Sequence, residues 1–210
     1  MAKNGKHNEN ILFLKQTVTG NEKWILYNKV ECKSSLGKWN EPTPATPEAG
    51  LHPKKVMLSI SWDWKGVLYY EFLSENQMIN SNRYWSQLDQ LKAALNKRHQ
   101  ELVNRKPIVF HQDNARLHVS LMTRQKLLQF GWEVLIRLLC SPDIAPTVFY
   151  TFQSFQNSLN GKNFNSLEDC KRHLEWFFAQ KDKKFWEDGI MRLPKRWEKV
   201  MEQNGEYVVQ

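Results

Sequence analysis

The stretch PIVFHQDNARLH at residues 107–118 places an apolar run directly before a polar segment that contains Asp113. A short apolar run is typical of a buried strand, so we expect Asp113 at the carboxyl end of that strand. Open α/β sheets carry their functional groups at the carboxyl ends of strands. The stretch therefore predicts an α/β fold and makes Asp113 a candidate site residue. A turn-forming role for Asp113 and Asn114 is the alternative, because both residue types favour local backbone hydrogen bonds.

The segments around this strand predict a sheet that is flanked by helices. Residues 22–27 predict a strand, with a break just before it at Thr19-Gly20-Asn21. Residues 56–62 and 67–73 flank a glycine-containing turn, which is typical of a β-hairpin. The elements that follow are a helix over 80–100, a strand over 108–110, a helix over 119–130 that ends at Gly131, a strand over 132–138 and helices from residue 146 onward. This order favours an RNase H-like fold, a mixed five-stranded sheet with helices on both faces.

A long insertion loop is expected after the first strand. Residues 29–55 contain four prolines and two glycines, a density that disrupts both helices and strand pairing. Long loops of this kind are usually functional or disordered. Residues 1–10 are expected to be a disordered N-terminus, and residues 11–210 are expected to form one domain.

The composition favours a polyanionic partner. The chain of 210 residues has 30 basic and 22 acidic residues and a formal net charge of +8, and each cation that contacts a phosphate releases condensed counterions. No apolar run approaches the roughly 20 residues of a membrane-spanning helix, and the polar N-terminus does not resemble a signal peptide. We therefore expect an intracellular protein without a membrane partner, in which the three cysteines are reduced thiols.

Seven short segments resemble motifs of the Tc1/mariner family of DNA transposases, among them the family's TGDEKWI, HxDNARPH and SPDLAPSD. They are TGNEKWI at 19–25, HPKKVM at 52–57, WDWKG at 62–66, HQDNARLH at 111–118, SPDIAP at 141–146, NSLNGKNFNS at 157–166 and LPKRWEKV at 193–200. The resemblance covers nearly the whole chain from about residue 10, and it extends to the mariner half of a fusion with a SET-domain methyltransferase. It implies the RNase H-like catalytic domain of a transposase.

The resemblance also implies a metal site, from which most of the ligands are missing. Members of the family are understood to cut and rejoin DNA with two divalent ions, Mg²⁺ or Mn²⁺, held by three aspartates. These three positions correspond here to Asn21, Asp113 and Val148. Asparagine offers a neutral oxygen and valine offers no ligand, so a single acid remains for two cations. We therefore expect weak or no metal binding and a catalytically inactive, DNA-binding remnant of a transposase.

A residual divalent-metal-dependent DNA endonuclease is the first alternative. It would use Asp113 and Asn21 together with a substitute acid, for which Asp63 and Asp143 are candidates. Glu22 is not expected to serve, because neighbouring residues of a strand point to opposite faces of the sheet. Nicking of supercoiled DNA would distinguish this alternative from an inactive domain.

The second alternative is a co-opted dimerisation module. Residues 29–55 resemble the clamp-like segment through which subunits of the family join, and they would supply the interface of a homodimer. A plain disordered insertion is the competing interpretation of the same residues.

The partner expected from the family is DNA, and the expected location is the nucleus. The helix-turn-helix region with which the family reads transposon ends has no counterpart in this sequence, so sequence-specific recognition is not expected. Contacts with the DNA backbone are expected instead, although a solvated surface is the competing interpretation. The candidate residues for these contacts are Arg116, His118, Lys195, Arg196 and Lys199.

Overall fold

A mixed five-stranded sheet forms the centre of the computed structural model. The structure describes residues 11–26, 55–73, 77, 79–99, 107–135, 142–160, 162, 164 and 166–203. The strands are β1 (Thr17–Leu26), β2 (Lys55–Asp63), β3 (Gly66–Leu73), β4 (Val109–His111) and β5 (Glu133–Leu135). They lie in the order β3-β2-β1-β4-β5, with β1 antiparallel to β2 and parallel to β4. The predicted mixed sheet and its β2–β3 hairpin are confirmed.

β1 is one continuous strand that passes through Thr19-Gly20-Asn21, so the predicted break at these residues is wrong. The glycine permits a close approach between strands and does not form a turn. A Cβ atom on Gly20 would lie 2.8 Å from Ser61 Oγ on β2, and a glycine inside a strand often marks such an approach. As a result Asn21 lies within β1, opposite Ile60 of β2.

Helices flank the sheet, as the sequence predicts. They are a short helix over residues 11–16, α1 (Ser81–Arg98), α2 (Leu121–Gln129), α3 (Gln153–Leu159), α4 (Leu167–Ala179), α5 (Lys183–Met191) and α6 (Leu193–Glu202). A π-helical segment, Thr147–Phe152, leads directly into α3. The hydroxyl of Ser120 caps α2 by accepting a hydrogen bond from the Thr123 N–H. The predicted end of this helix at Gly131 is confirmed, because Gly131 has a φ of +72° and such a left-handed residue suits glycine.

Two apolar clusters hold these helices against the sheet. The first packs α1 and α2 on one face and consists of Val18, Tyr84, Leu88, Leu91, Leu95, Ile108, Phe110, Leu127 and Trp132. The second lies among the C-terminal helices and includes Ile25, Trp62, Phe149, Phe155, Leu174, Phe177, Trp186 and Ile190. Cys170 is a free, buried thiol in the second cluster, and burial raises its pKa to about 11.

A glycine in α5 allows this helix to contact the sheet closely. A Cβ atom on Gly189 would lie 2.8 Å from Trp62 Cη2 and 2.6 Å from Tyr150 Cδ1. Alanine favours a helix over glycine by about 1 kcal/mol, whereas overpacking a core costs about 1–3 kcal/mol. We expect Gly189→Ala to lower the free energy of unfolding, measured by urea denaturation, by about 1–2 kcal/mol. An unchanged or higher free energy of unfolding would show that helix propensity outweighs the clash.

Several predicted segments lie wholly or partly outside the described residues. The predicted N-terminal segment 1–10 lies outside them, and so does the predicted loop over 29–55 except for Lys55, the first residue of β2. The predicted strand over 132–138 is described as far as Leu135, and residues 133–135 pair with β4. None of the helices in the described ranges has the length and apolar character that crossing a membrane requires.

Candidate functional site

The pairing of β1 with β4 places Asn21 and Asp113 at the same height along the two neighbouring strands. β1 and β4 run parallel, with Thr19 opposite His111. Asn21 lies two residues beyond Thr19, and Asp113 lies two residues beyond His111. Asp113 therefore follows the carboxyl end of β4, as predicted, at the point where the neighbouring β1 carries Asn21.

The π-helical segment is attached to the sheet at its first residue. Thr147 Oγ1 lies 3.1 Å from Thr19 Oγ1 on β1. It also accepts a hydrogen bond of 3.0 Å from Trp62 Nε1 on β2. All three side chains are buried, so the start of this segment is fixed against two strands.

The same segment continues along β1 past Asn21. At its far end the Phe152 ring lies 5.7 Å from Lys23 Nζ, measured to the ring centre. Alternate residues of a strand share one face, so Asn21 lies on this face between Thr19 and Lys23. Val148, the second residue of the segment, is therefore placed beside the strand that carries Asn21.

The three positions predicted to correspond to the family's aspartates do not fit a pair of metal ions. Asn21 is 8% exposed, and its Oδ1 accepts a hydrogen bond of 2.8 Å from the Glu22 N–H. Val148 is half-buried and packs against the second apolar cluster. Only Asp113 offers a carboxylate, and two dications need several anionic oxygens to offset their mutual repulsion. The arrangement therefore lacks the ligands for a two-metal centre.

A different set of ligands surrounds Asp113. Ligand atoms of Glu22, Asp113 and His118 all lie within 4.8 Å of one another. His118 Nδ1 is 2.5 Å from Asp113 Oδ1, and His118 Nε2 is 3.7 Å from Glu22 Oε1. Asp113 Oδ1 also accepts a hydrogen bond of 2.9 Å from the Ala115 N–H, which fixes the turn after β4. We call these three residues the Glu22 cluster.

Buried polar groups hold His118 in this position. His118 is 3% exposed, and its ring lies 4.4 Å from the Tyr84 ring. Gln112 Nε2 donates a hydrogen bond of 3.1 Å to the His118 carbonyl, and Tyr84 donates to Gln112 Oε1. Burial, with the negative charges of Glu22 and Asp113, raises the pKa of Tyr84 well above its ordinary value. Tyr84 therefore stays a neutral donor, and the cluster itself is electronegative.

The Glu22 cluster can hold at most one cation. Two carboxylates and an imidazole are ligands that Mn²⁺ and similar divalent ions accept. Glu22 lies on the strand face opposite to Asn21, as expected, and its carboxylate lies within 4.8 Å of ligand atoms of Asp113 and His118. Alternation along β1 holds, but Asp113 follows the end of β4 and approaches that other face. The register of β1 against β4 is the only signal that brings them together.

The candidate DNA contacts fall into two groups. Arg116, Lys195 and Lys199 are exposed, so they can reach a phosphate, and for them the prediction stays open. His118 is buried within the Glu22 cluster, a position that suits a structural or ligand role better than a phosphate contact. Arg196 is close in sequence to Lys195 and Lys199, but its side chain contacts other residues of the fold.

Arg196 joins α6 to the segment that precedes the π helix. Its Nη1 donates a hydrogen bond of 2.8 Å to the Asp143 carbonyl, and its guanidinium lies 4.0 Å from the centre of the Phe149 ring. Burial lowers the pKa of Arg196, although the nearby Asp143 opposes this effect. These contacts favour a structural role for Arg196. Asp143 is itself buried here, in the 3₁₀ turn Pro142–Ile144.

Asp63 is a structural residue of the β2–β3 turn. Its Oδ1 accepts hydrogen bonds of 2.8 Å and 3.2 Å from the N–H groups of Lys65 and Gly66. Its Oδ2 contacts His99 Nε2, and both side chains are almost fully buried. These partners occupy the carboxylate, so Asp63 does not supply a substitute metal ligand.

Comparisons with known proteins agree with this geometry. A family model described as transposase (partial DDE domain) matches residues 26–105. Mariner Mos1 transposase of Drosophila mauritiana is 38% identical over 197 residues, which cover 93% of this chain and 57% of that protein. Histone-lysine N-methyltransferase SETMAR of Homo sapiens is 38% identical over 201 residues, which cover 95% of this chain and 29% of that protein.

A solved structure shows the same architecture. The Mos1 transposase catalytic domain, solved with raltegravir and Mn, matches with a TM-score of 0.80 at 34% identity. The match covers 97% of this chain and 90% of that one. The RNase H-like fold is thus confirmed. The chain spans little more than half of the full Mos1 transposase and under a third of SETMAR.

Proposed function

This chain belongs to the mariner family of DNA transposases, and on that premise we propose that it is a catalytic-domain homologue that binds DNA without cutting it. The observation that carries the proposal is the loss of acidic side chains at two of the three expected ligand positions. Asn21, Asp113 and Val148 present one carboxylate where two cations would have to be held. The remaining acid is engaged by His118 and by a turn amide.

The size of the expected loss supports an inactive domain. Removing one group that stabilises a transition-state charge typically lowers a rate by about 10²–10³. Two of the three ligand positions are changed here, and each change removes an anionic charge. With both changes, the rate of DNA cleavage by a pair of metal ions is expected to be too low for an ordinary nicking assay to detect.

DNA binding is supported by charge and exposure. The chain carries a net charge of +8, and Arg116, Lys195 and Lys199 are exposed. Binding of this kind depends on phosphates and counterion release, so it is tolerant of sequence and weakens with salt. A nuclear location and a homodimer through residues 29–55 follow from the family as further proposals.

A residual nicking activity with a single cation is the second candidate function. The Glu22 cluster favours it, because Glu22, Asp113 and His118 place three ligand atoms within 4.8 Å of one another. A single divalent ion in this cluster would be held on the face of β1 opposite to Asn21. The two candidate functions therefore differ in the residues on which an activity would depend.

Nicking of supercoiled plasmid distinguishes the two candidates. With Mn²⁺ or Mg²⁺ present, we expect the purified chain to nick no faster than its Asp113→Ala variant, measured as conversion to open circles on agarose. Nicking that disappears in Asp113→Ala would contradict an inactive domain. Loss of the same activity in Glu22→Gln, which keeps the shape of the side chain, would assign it to the Glu22 cluster.

A further inference from the structure

Three lysines from separate parts of the chain converge on one tryptophan. Lys15 Nζ lies 5.1 Å, Lys65 Nζ 5.3 Å and Lys183 Nζ 4.6 Å from the centre of the Trp64 ring. Lys15 comes from the short helix over residues 11–16, Lys65 from the β2–β3 turn and Lys183 from the first turn of α5. We call Trp64 with these three lysines the Trp64 patch.

This concentration of positive charge has no ion-pair partner in the part of the chain that the structure describes. Within the described ranges, none of the three lysines has an acidic oxygen within 4.0 Å. The two carboxylates adjacent in sequence have other partners: Asp63 contacts His99, and Asp182 accepts a hydrogen bond from the Phe185 N–H. The aromatic ring attracts each ammonium group, but it supplies no net negative charge.

The start of α5 adds to the positive potential. The first turn of this nine-residue helix contains no acid and begins with Lys183 and Lys184, although the N-terminal end of a helix dipole favours anions. Both lysines are exposed. The carboxylate of Asp182 caps this end of the helix by accepting a hydrogen bond from the Phe185 N–H, and it offsets part of the charge of the two lysines.

The Trp64 patch lies apart from the Glu22 cluster. In the pairing of β1 with β2, Trp62 lies opposite Thr19 and Ile60 lies opposite Asn21. The turn after Trp62 therefore extends beyond the N-terminal end of β1, whereas Asn21 lies further along the strand in the opposite direction. Lys15 precedes β1 by two residues and meets the turn at that end.

The turn that carries Trp64 and Lys65 is firmly held. Asp63 accepts hydrogen bonds from two of its backbone N–H groups. On the other side of the turn, Arg98 Nη1 donates a hydrogen bond of 2.8 Å to the Val67 carbonyl. Trp64 and Lys65 thus extend from a rigid turn, which limits the ordering that their part of the patch needs when a ligand binds.

The geometry points to the Trp64 patch as a docking surface for the phosphodiester backbone of DNA. This inference rests on the proposed DNA binding and names a surface for it. Lys65 and Lys183 are exposed and Lys15 is half-buried, so the patch is open to a large partner. DNA carries one negative charge per roughly 1.7 Å of its axis, so that neighbouring phosphates can meet all three ammonium groups.

The salt dependence of DNA binding tests this surface. We compare the full chain with Lys15→Gln/Lys65→Gln/Lys183→Gln and with a control of equal charge, Lys92→Gln/Lys97→Gln/Lys171→Gln, by fluorescence anisotropy on a labelled duplex. Loss of three phosphate contacts lowers the slope of log Kd against log salt by about 2–3 and weakens binding at 0.1 M salt by roughly 10²-fold. The control is expected to change both quantities much less.

The outcomes separate the surface from the function. A full chain that binds DNA while both triple variants weaken equally, or not at all, would overturn the Trp64 patch and leave the proposed function standing. A full chain that fails to bind DNA overturns both. Equal melting temperatures of the three proteins show that charge, and not folding, accounts for any difference.

A second measurement leaves the lysines intact. The chain is labelled with 5-fluorotryptophan, and Trp64→Phe assigns the resonance of Trp64. We expect this resonance to shift when duplex DNA is added and to stay in place with vesicles that contain phosphatidylserine. A resonance that ignores DNA, or that responds only to the vesicles, contradicts a DNA-docking surface.

Discussion

Replacing Asn21 and Val148 together by aspartate is expected to give a chain that binds Mn²⁺ tightly and cuts DNA, whereas either replacement alone is not. The double change returns three carboxylates to one edge of the sheet, where Asn21 and Asp113 share a level. Three acids can offset the repulsion between two dications, and one or two acids leave that repulsion uncompensated. We expect the nicking rate to rise by at least about 10²-fold over the parent chain.

Isothermal titration with Mn²⁺ and plasmid nicking measure the two parts of this prediction. The matched control is Asn21→Asp with Val148→Asn, which reproduces the shape of the third aspartate without its charge. Because Val148 packs against an apolar cluster, the melting temperature of each variant is compared with that of the parent. Equal Mn²⁺ affinity in the parent and in a folded double aspartate variant contradicts the prediction.

The expected reversal rests on the placement of Val148 by the π-helical segment. The side chain of Thr147 makes hydrogen bonds with Thr19 and Trp62. Val148, which follows it, therefore has little freedom to move away from β1. The backbone of an aspartate at position 148 would therefore be held in place beside β1. Asp113 must turn from His118 towards Asn21 for the three acids to meet. The Asp113–His118 contact of 2.5 Å is the interaction that this rotation gives up.

The elements predicted correctly from the sequence are those with strong local patterns. The β2–β3 hairpin has strand-forming residues on both sides of a glycine turn, and α1 repeats apolar residues at helical spacing, as at Tyr84, Leu88, Leu91 and Leu95. These periodicities follow from the geometry of a single element, so one segment is enough to detect them. The position of Asp113 after β4 could be predicted from the sequence for the same reason.

The error in β1 has a non-local cause. Thr19-Gly20-Asn21 has the composition of a turn, and nothing in the segment itself says otherwise. The need for glycine arises only when β2 pairs with β1 and brings Ser61 against Gly20. The pairing of β1 with β2 thus explains why Gly20 lies in a strand, although the local composition predicts a turn.

The Glu22 cluster was missed for a related reason. Glu22 is separated from Asp113 by about ninety residues, and the rule of alternation correctly places Glu22 and Asn21 on opposite faces. That rule does not constrain Asp113, which follows β4 and turns back towards His118 through a bond to the Ala115 N–H. Only the register of β1 with β4 shows that this turn meets Glu22.

Replacing Asp63 by alanine is expected to lower the free energy of unfolding by about 3–5 kcal/mol, because three polar groups lose their acceptor and each buried group left unsatisfied costs about 1–3 kcal/mol. Asp63 and His99 are almost fully buried in contact with each other. The change would leave His99 and the N–H groups of Lys65 and Gly66 without the acceptor they now have. Differential scanning calorimetry should show a fall in Tm of roughly 6–20 °C for a domain of this size.

An exposed ion pair gives the matched control for this prediction. Asp89 Oδ2 lies 2.7 Å from Lys126 Nζ, and more than half of the Asp89 side chain is exposed, so Asp89→Ala should cost about 1 kcal/mol or less. If the partners of Asp63 form a single network, Asp63→Ala combined with His99→Ala should cost less than the sum of the two single changes. An Asp63→Ala variant as stable as Asp89→Ala would mean that the turn keeps its shape without the carboxylate. In that case the rigid turn inferred for the Trp64 patch would rest on the Arg98–Val67 hydrogen bond alone.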